Sequence, residues 1–158
     1  MEVIKLKLMN CKDYFLKLLS RREYSAYELL WKGQEKGFEN EEITTAIDYL
    51  QLEGYQSDGR LVATIISSAA GKYGKSVVKR KCIEKGVNAE IFERTWLEQT
   101  ENEPADELIS LKAKVMRKYQ IDDFQTIEPK TKAKLWNYLK YRGFNPFEVL
   151  EQWQKEVD

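Results

Sequence analysis

Ser25-Ala-Tyr-Glu-Leu-Leu-Trp-Lys-Gly-Gln-Glu-Lys36-Gly37-Phe38 opens on a residue that caps helices and closes on a base, a glycine and an apolar residue. A serine hydroxyl accepts from the amides of a first helical turn, and a glycine takes the left-handed conformation that ends a helix. The same ending recurs as Lys85-Gly86-Val87 and as Arg142-Gly143-Phe144. Aligning the three glycines without gaps places Ser25, Gly74 and Thr131 twelve residues upstream, where helices are expected to start, with Ser25 and Thr131 as good N-caps. Leu29, Val78 and Leu135 then align, as do Gly33, Cys82 and Leu139 four residues later. Each copy thus carries one apolar seam at i, i+4, weakest in the first copy because of Gly33.

A second capped helix follows each glycine. Asn40 starts Glu41–Leu52, with Ile43, Ile47 and Leu50 as its inner face, and Asn88 starts Ala89–Gln99, with Ile91 or Phe92, Thr95 and Trp96 inside. Asn145 caps and Pro146 occupies the first helical position, a pairing that marks a start strongly, ahead of Phe147, Leu150 and Trp153. A further helix precedes each unit, near Cys11–Leu19, Leu61–Ala70 (with Asp58 as its cap) and Glu107–Lys118. The expected fold is all-α: three tandem three-helix repeats over residues 9–53, 55–100 and 104–157, forming an elongated, curved array in which neighbours share packing. Glu101-Asn102-Glu103-Pro104 reads as a linker, and Gln120–Pro129 as the longest irregular loop.

Composition agrees and excludes much chemistry. The 158 residues are 42% hydrophobic and 33% charged, with only eight glycines and three prolines, which rules out disorder and a turn-rich β domain. There is no histidine, hence no histidine-based nucleophile, proton shuttle or metal ligand. Cys11 and Cys82 lie far apart without a CxxC spacing, so neither a zinc site nor a disulfide framework is expected, and two free thiols suit a reducing cytoplasm. The N-terminal stretch is interrupted by Glu2, Lys5 and Lys7, and the apolar run Leu61–Ile66 is too short to span a membrane. The expectation is a cytoplasmic, non-enzymatic protein without cofactor or metal.

One motif looks catalytic. Ala69-Ala-Gly-Lys-Tyr-Gly74-Lys75-Ser76 fits a relaxed phosphate loop, in which Lys75 would reach phosphates and Ser76 would hold magnesium. No second apolar run ending in Asp completes such a site, and no alternation of strands and helices supports a parallel sheet. The segment also aligns without gaps with two helical copies, so Gly71 and Gly74 are expected to break the chain between helices. Paired carboxylates such as Glu41-Glu42 sit in a first turn, where acids favour the helix dipole. Trp96, Trp136 and Trp153 are expected in the core or between units, and Trp31, beside Lys32, is expected to be exposed.

The net charge of zero (26 bases, 26 acids) hides segregation. Residues 39–58 carry six acids and no base; residues 72–85 carry six bases and one acid; residues 87–107 carry seven acids and one base; residues 130–142 carry five bases and no acid. Such a molecule presents faces of opposite sign that steer it onto a charged partner. On the middle basic helix Lys72, Lys75 and Lys79 fall at i, i+3 and i+7, away from the Val78–Cys82 seam, with Arg80 adjacent. Lys130 and Lys134, on the third copy, form the second basic face.

Leu18-Leu-Ser-Arg-Arg-Glu-Tyr-Ser25, the Lys-Gly-Phe turns, Asp58-Gly-Arg60-Leu61-Val-Ala63 and Gly71-Lys-Tyr-Gly74 resemble the bacterial RecX regulators over nearly the whole chain. The sequence departs from that pattern at Leu61, at Ser68-Ala69 and at Lys75, where the family has phenylalanine, arginine and often proline. The resemblance implies a non-enzymatic modulator of the RecA recombinase, acting in DNA repair, recombination and the SOS response. Such proteins lie along the groove of the RecA filament on single-stranded DNA and suppress strand exchange, ATP hydrolysis and coprotease action. It also adds Arg60 to the partner-binding candidates, with the alternative that Arg60 holds two helices together. The basic runs are expected to face either DNA phosphates or acidic RecA surface. A stand-alone helical DNA-binding protein is the alternative function, disfavoured by the zero net charge and a pI near 6.4.

Overall fold

The computed structural model describes residues 9–102 and 106–156, and all regular structure among them is helical. The helices are α1 (Cys11–Leu19), α2 (Ala26–Lys36), α3 (Asn40–Leu52), α4 (Asp58–Ala69), α5 (Lys75–Glu84), α6 (Ala89–Asn102), α7 (Asp106–Tyr119), α8 (Pro129–Tyr141) and α9 (Pro146–Lys155). Leu61–Ile66, the only candidate for a buried strand, lies inside α4.

The helix ends follow local chemistry. Asn10 accepts from the Asp13 amide at 2.8 Å, and Asn145 from the Glu148 amide at 3.2 Å, with Pro146 at the first helical position. Ser25 forms a full capping box: its hydroxyl accepts from the Glu28 amide at 2.9 Å, and the Glu28 carboxylate accepts from the Ser25 amide at 2.9 Å. Arg22 and Lys85 both pair with that carboxylate, at 3.0 and 3.5 Å. Burial opposes ionisation, but the Arg22 hydrogen bond, the Ser25 amide and the Lys85 charge together hold the Glu28 carboxyl below its usual range. The three glycine stops are left-handed, with φ of 93°, 81° and 89° at Gly37, Gly86 and Gly143.

Several boundaries and faces differ from expectation. Asp58 does not cap α4: the Ser57 hydroxyl takes the Arg60 amide at 3.1 Å instead. The Asp58 carboxylate accepts from the Ala26 amide at 2.9 Å and from Gln56 Nε2 at 2.9 Å, so it serves the first turn of α2 rather than its own helix. The third-copy helix starts two residues before Thr131, because Pro129 at the first helical position lets Glu128 act as its N-cap. α3 begins at Asn40 rather than after it, and Glu39 takes the cap position without a side-chain bond. α6 continues through Asn102, and the rest of the expected linker lies outside the described residues. The loop after α7 contains a short 3₁₀ turn, Phe124–Thr126, whose Phe124 packs on Trp153 with ring centroids 5.0 Å apart. Phe147 points outward at 64% exposure because Val149, Leu150 and Trp153 take the inner face of α9, and Trp136 is also exposed. Trp31 is exposed, as its place beside Lys32 suggested.

The chain divides into two compact units. The first comprises the chain through Thr64 together with Cys82–Thr95. Its core is Cys11, Phe15, Tyr24, Leu29, Ile43, Ala46 and Leu50, from α1, α2, α3 and the loop before α2. The second comprises Ile65–Lys81 and the chain from Trp96 onward, with a core of Leu111, Val115, Ile121, Phe124, Leu135, Leu139, Val149, Leu150 and Trp153. Each fully buried large apolar side chain among these contributes about 1.5–3 kcal/mol.

Each unit contains one meeting of a helix start with a glycine stop. In the first unit the Ser25 hydroxyl, at the start of α2, donates to the Lys85 carbonyl at 2.5 Å, and Gly86 lies so close to the Tyr27 ring that a Cβ there would overlap it. In the second, the Gly74 amide, at the start of α5, donates to the Arg142 carbonyl at 2.7 Å. Ser76 donates to the Gly143 carbonyl through its amide at 3.3 Å and its hydroxyl at 3.1 Å. Ser25 and Gly74 are equivalent in the repeat alignment, and so are Lys85 and Arg142. The same contact is therefore made twice.

Candidate partner-binding site

The basic candidates of the second unit are carried by a turn and two helices. Gly71, in the left-handed region, sets the turn in which the amides of Lys72 and Tyr73 return to the Ala69 carbonyl at 2.9 and 3.0 Å. Lys72 therefore belongs to this turn and not to the helix, and the helical row is Lys75 and Lys79 at i, i+4. Lys72, Lys75 and Arg80 are exposed and Lys79 is half-buried, while Val77 and Val78 are buried. Lys81 lies over the Tyr73 ring at 4.1 Å.

Arg142 joins this segment to the second basic helix. Its guanidinium donates to the Lys72 carbonyl at 3.1 Å and lies 4.9 and 5.5 Å from the Tyr138 and Tyr73 ring centres. The C-terminal end of α8 is thus fixed beside Lys72. At 1.5 Å per residue, Lys134 and Lys130 stand about 12 and 18 Å further along the helix axis. Lys130, Lys132, Lys134 and Lys140 are all exposed, and the helix carries no acid. Trp136 is 37% and Tyr141 87% exposed on the same helix. The basic runs were visible in the sequence, but Tyr141 and the joining role of Arg142 were not. The alignment of Arg142 with Lys85 was the signal that pointed to the latter.

Arg60 is placed differently. It belongs to the first unit, and all three of its guanidinium nitrogens donate within the protein. Nε pairs with Glu23 at 2.8 Å, and the two terminal nitrogens bond the carbonyls of Gly54 and Tyr55 at 2.9 Å each. These bonds close the α3–α4 connection and tie it to Glu23 before α2, rather than joining α4 to α5.

The thiols are poor nucleophiles. Burial pushes Cys82 up to about 11, against a smaller opposing effect of Lys85, and burial with the Glu42 charge pushes Cys11 up to about 11. Among the described residues no group of His, Cys, Asp and Glu is arranged to hold a metal, and no described helix is long and apolar enough to cross a membrane.

Known proteins share this helical fold. The model of the first three-helix domain of RecX matches residues 11–50, the span of α1 to α3. The regulatory protein RecX of Haemophilus influenzae (strain PittEE) is 34% identical, over 92% of this chain and 96% of its own. That of Vibrio vulnificus (strain CMCP6) is 32% identical over 87% of each chain. The crystal structure of RecX from Lactobacillus salivarius superposes with a TM-score of 0.74 at 17% identity, covering 93% of this chain and 96% of that one. Since the Haemophilus and Vibrio relatives are more than 30% identical to it over most of their own length, the chain belongs to the RecX family of regulatory proteins.

Proposed function

We propose that this regulator acts by binding the RecA filament on single-stranded DNA and inhibiting its recombinase, ATPase and coprotease activities, in the cytoplasm and without chemistry of its own. The observation that carries the proposal is the basic surface Lys72, Lys75, Lys79 and Arg80, continued by Lys130 and Lys134 on α8. Charges grouped in this way meet several phosphates or carboxylates at once, whereas an isolated exposed lysine contributes little. Arg60, bonded within the first unit, lies outside this surface.

The combined change Lys72→Glu, Lys75→Glu and Lys79→Glu tests it. Three lost contacts of about 0.5–1 kcal/mol each weaken inhibition of RecA-driven ATP hydrolysis by roughly 10–100-fold, and raising salt weakens wild-type inhibition in the same direction. Full inhibition by a folded triple variant moves the binding face to α8. A second reading, direct DNA binding, draws on the lysines of α8 beside exposed Trp136 and Tyr141, since bases stack on such rings. A pull-down comparing bare single-stranded DNA with DNA coated by RecA and a non-hydrolysed nucleotide separates the two. Equal capture on bare DNA favours the second.

A further inference from the structure

The start-on-stop contact runs in one direction along the chain. The stop Lys85-Gly86 receives the start of α2, one repeat earlier, and the stop Arg142-Gly143 receives the start of α5, again one repeat earlier. One stop and one start are left over. At Gly37 an added Cβ would meet nothing within 4 Å, whereas at Gly86 it would overlap Tyr27 and at Gly143 it would press on Val77 and Ser76. Beside Gly37 lies an open groove of about 410 Å³ lined by Gln34, Gly37, Phe38, Glu39, Asn40 and Glu41. The leftover start is that of α8, where Glu128, Pro129 and Lys130 are all exposed and Glu128 makes no side-chain cap bond.

We propose that the open stop at Lys36-Gly37 of one copy receives the start of α8 from a second copy, so that the chain self-associates head to tail. This is the step that the internal pattern would take next, the stop of a following repeat closing on the start of the third. The donors match: Lys130 is the second helical residue of α8 as Ser76 is of α5, and Thr131 adds a hydroxyl. The charges match as well. The groove presents Glu39 and Glu41, and the incoming helix presents Lys130, Lys132 and Lys134. The two surfaces are different, so the contact is heterologous.

Within the chain the contact benefits from an effective concentration of order mM, so between copies it is weak and the assay must reach about 1 mM. Sedimentation of the purified full chain, without RecA or DNA, is expected to show an average mass that rises above the monomer as concentration increases and falls back at high salt. Glu39→Lys with Glu41→Lys, or Lys130→Glu with Lys132→Glu, each weakens association at least about tenfold. Mixed together, the two variants associate again, because an intact start meets an intact stop and the two reversed ends are themselves opposite in charge. If the first variant loses helicity, Glu39→Gln with Glu41→Gln replaces it, and the lysine pair tests the other end independently. A wild type that stays monomeric throughout, or a mixture that fails to associate, overturns the proposal. None of these outcomes depends on RecA binding.

Discussion

Replacing Gly74 by alanine tests whether the contact between the start of α5 and the stop of α8 holds the second unit together. The new methyl group would overlap the Gly143 carbonyl and the Phe144 amide, which are backbone and cannot swing away. Relief requires the two segments to separate. Four hydrogen bonds are then given up: Gly74 to Arg142 at 2.7 Å, the two from Ser76 to Gly143 at 3.3 and 3.1 Å, and Arg142 to Lys72 at 3.1 Å. At a net worth of about 0.5–1.5 kcal/mol each, with partial replacement by water, the loss is about 2–4 kcal/mol. For a chain of this length that lowers Tm by about 5–15 °C. Gly37→Ala is the control. Its Cβ meets open space, so it costs only the left-handed backbone, about 1–2 kcal/mol. Urea and thermal unfolding of both variants compare the two directly. An alanine at Gly74 that is neutral, or that stabilises by about 0.4–1 kcal/mol as alanine does where it fits, refutes the reasoning.

Arg60→Ala removes bonds to Glu23, Gly54 and Tyr55, and is expected to cost about 1–2 kcal/mol at this exposed position while inhibition per folded molecule stays within about twofold of wild type. A loss of inhibition without a loss of stability would return Arg60 to the partner surface. The buried thiols couple stability to alkaline pH. Their native pKa values of about 11 lie above the ordinary 9.0, so the stabilisation is complete below pH 9 and is lost as pH rises towards 11. Urea midpoints from pH 7 to 11, with Cys11→Ala/Cys82→Ala as reference, measure the slope, and equal slopes in the two proteins would contradict it. A thiol-reactive disulfide reagent at pH 8 should modify neither cysteine faster than the protein opens.

The features legible in the sequence are those whose causes are local. Ser25 and the Asn145-Pro146 pair cap their own helices, and the glycines stop them, because partner and donor lie within four residues. The seam residues Leu29, Val78, Cys82, Leu135 and Leu139 are buried because a spacing of four keeps them on one face. What was not legible depends on distant neighbours. Asp58 has the right chemistry and place for a cap, but the amide it binds is 32 residues away, and Ser57 was free to cap in its stead. Phe147 and Val149 compete for the inside of α9, and hydropathy ranks the larger first although packing takes the smaller. The basic runs were plain from composition. That Lys72 sits in a turn while Lys75 and Lys79 share a helix required the left-handed Gly71.

The first turn of α2 is completed by atoms that the ribosome supplies late. Its amides and hydroxyl find Asp58 after 32 further residues and the Lys85 carbonyl after 60. At about 5–20 residues per second the second partner follows the serine by roughly 3–12 s. From residue 52 onward the three-helix core around Phe15 and Leu29 has its full sequence, while the amino end of its middle helix still lacks the Lys85 carbonyl. The Ser25 hydroxyl therefore finds its carbonyl partner only once residue 85 has been made. Amide exchange at Ala26 in chains ending on either side of residue 58 would record the first of these steps.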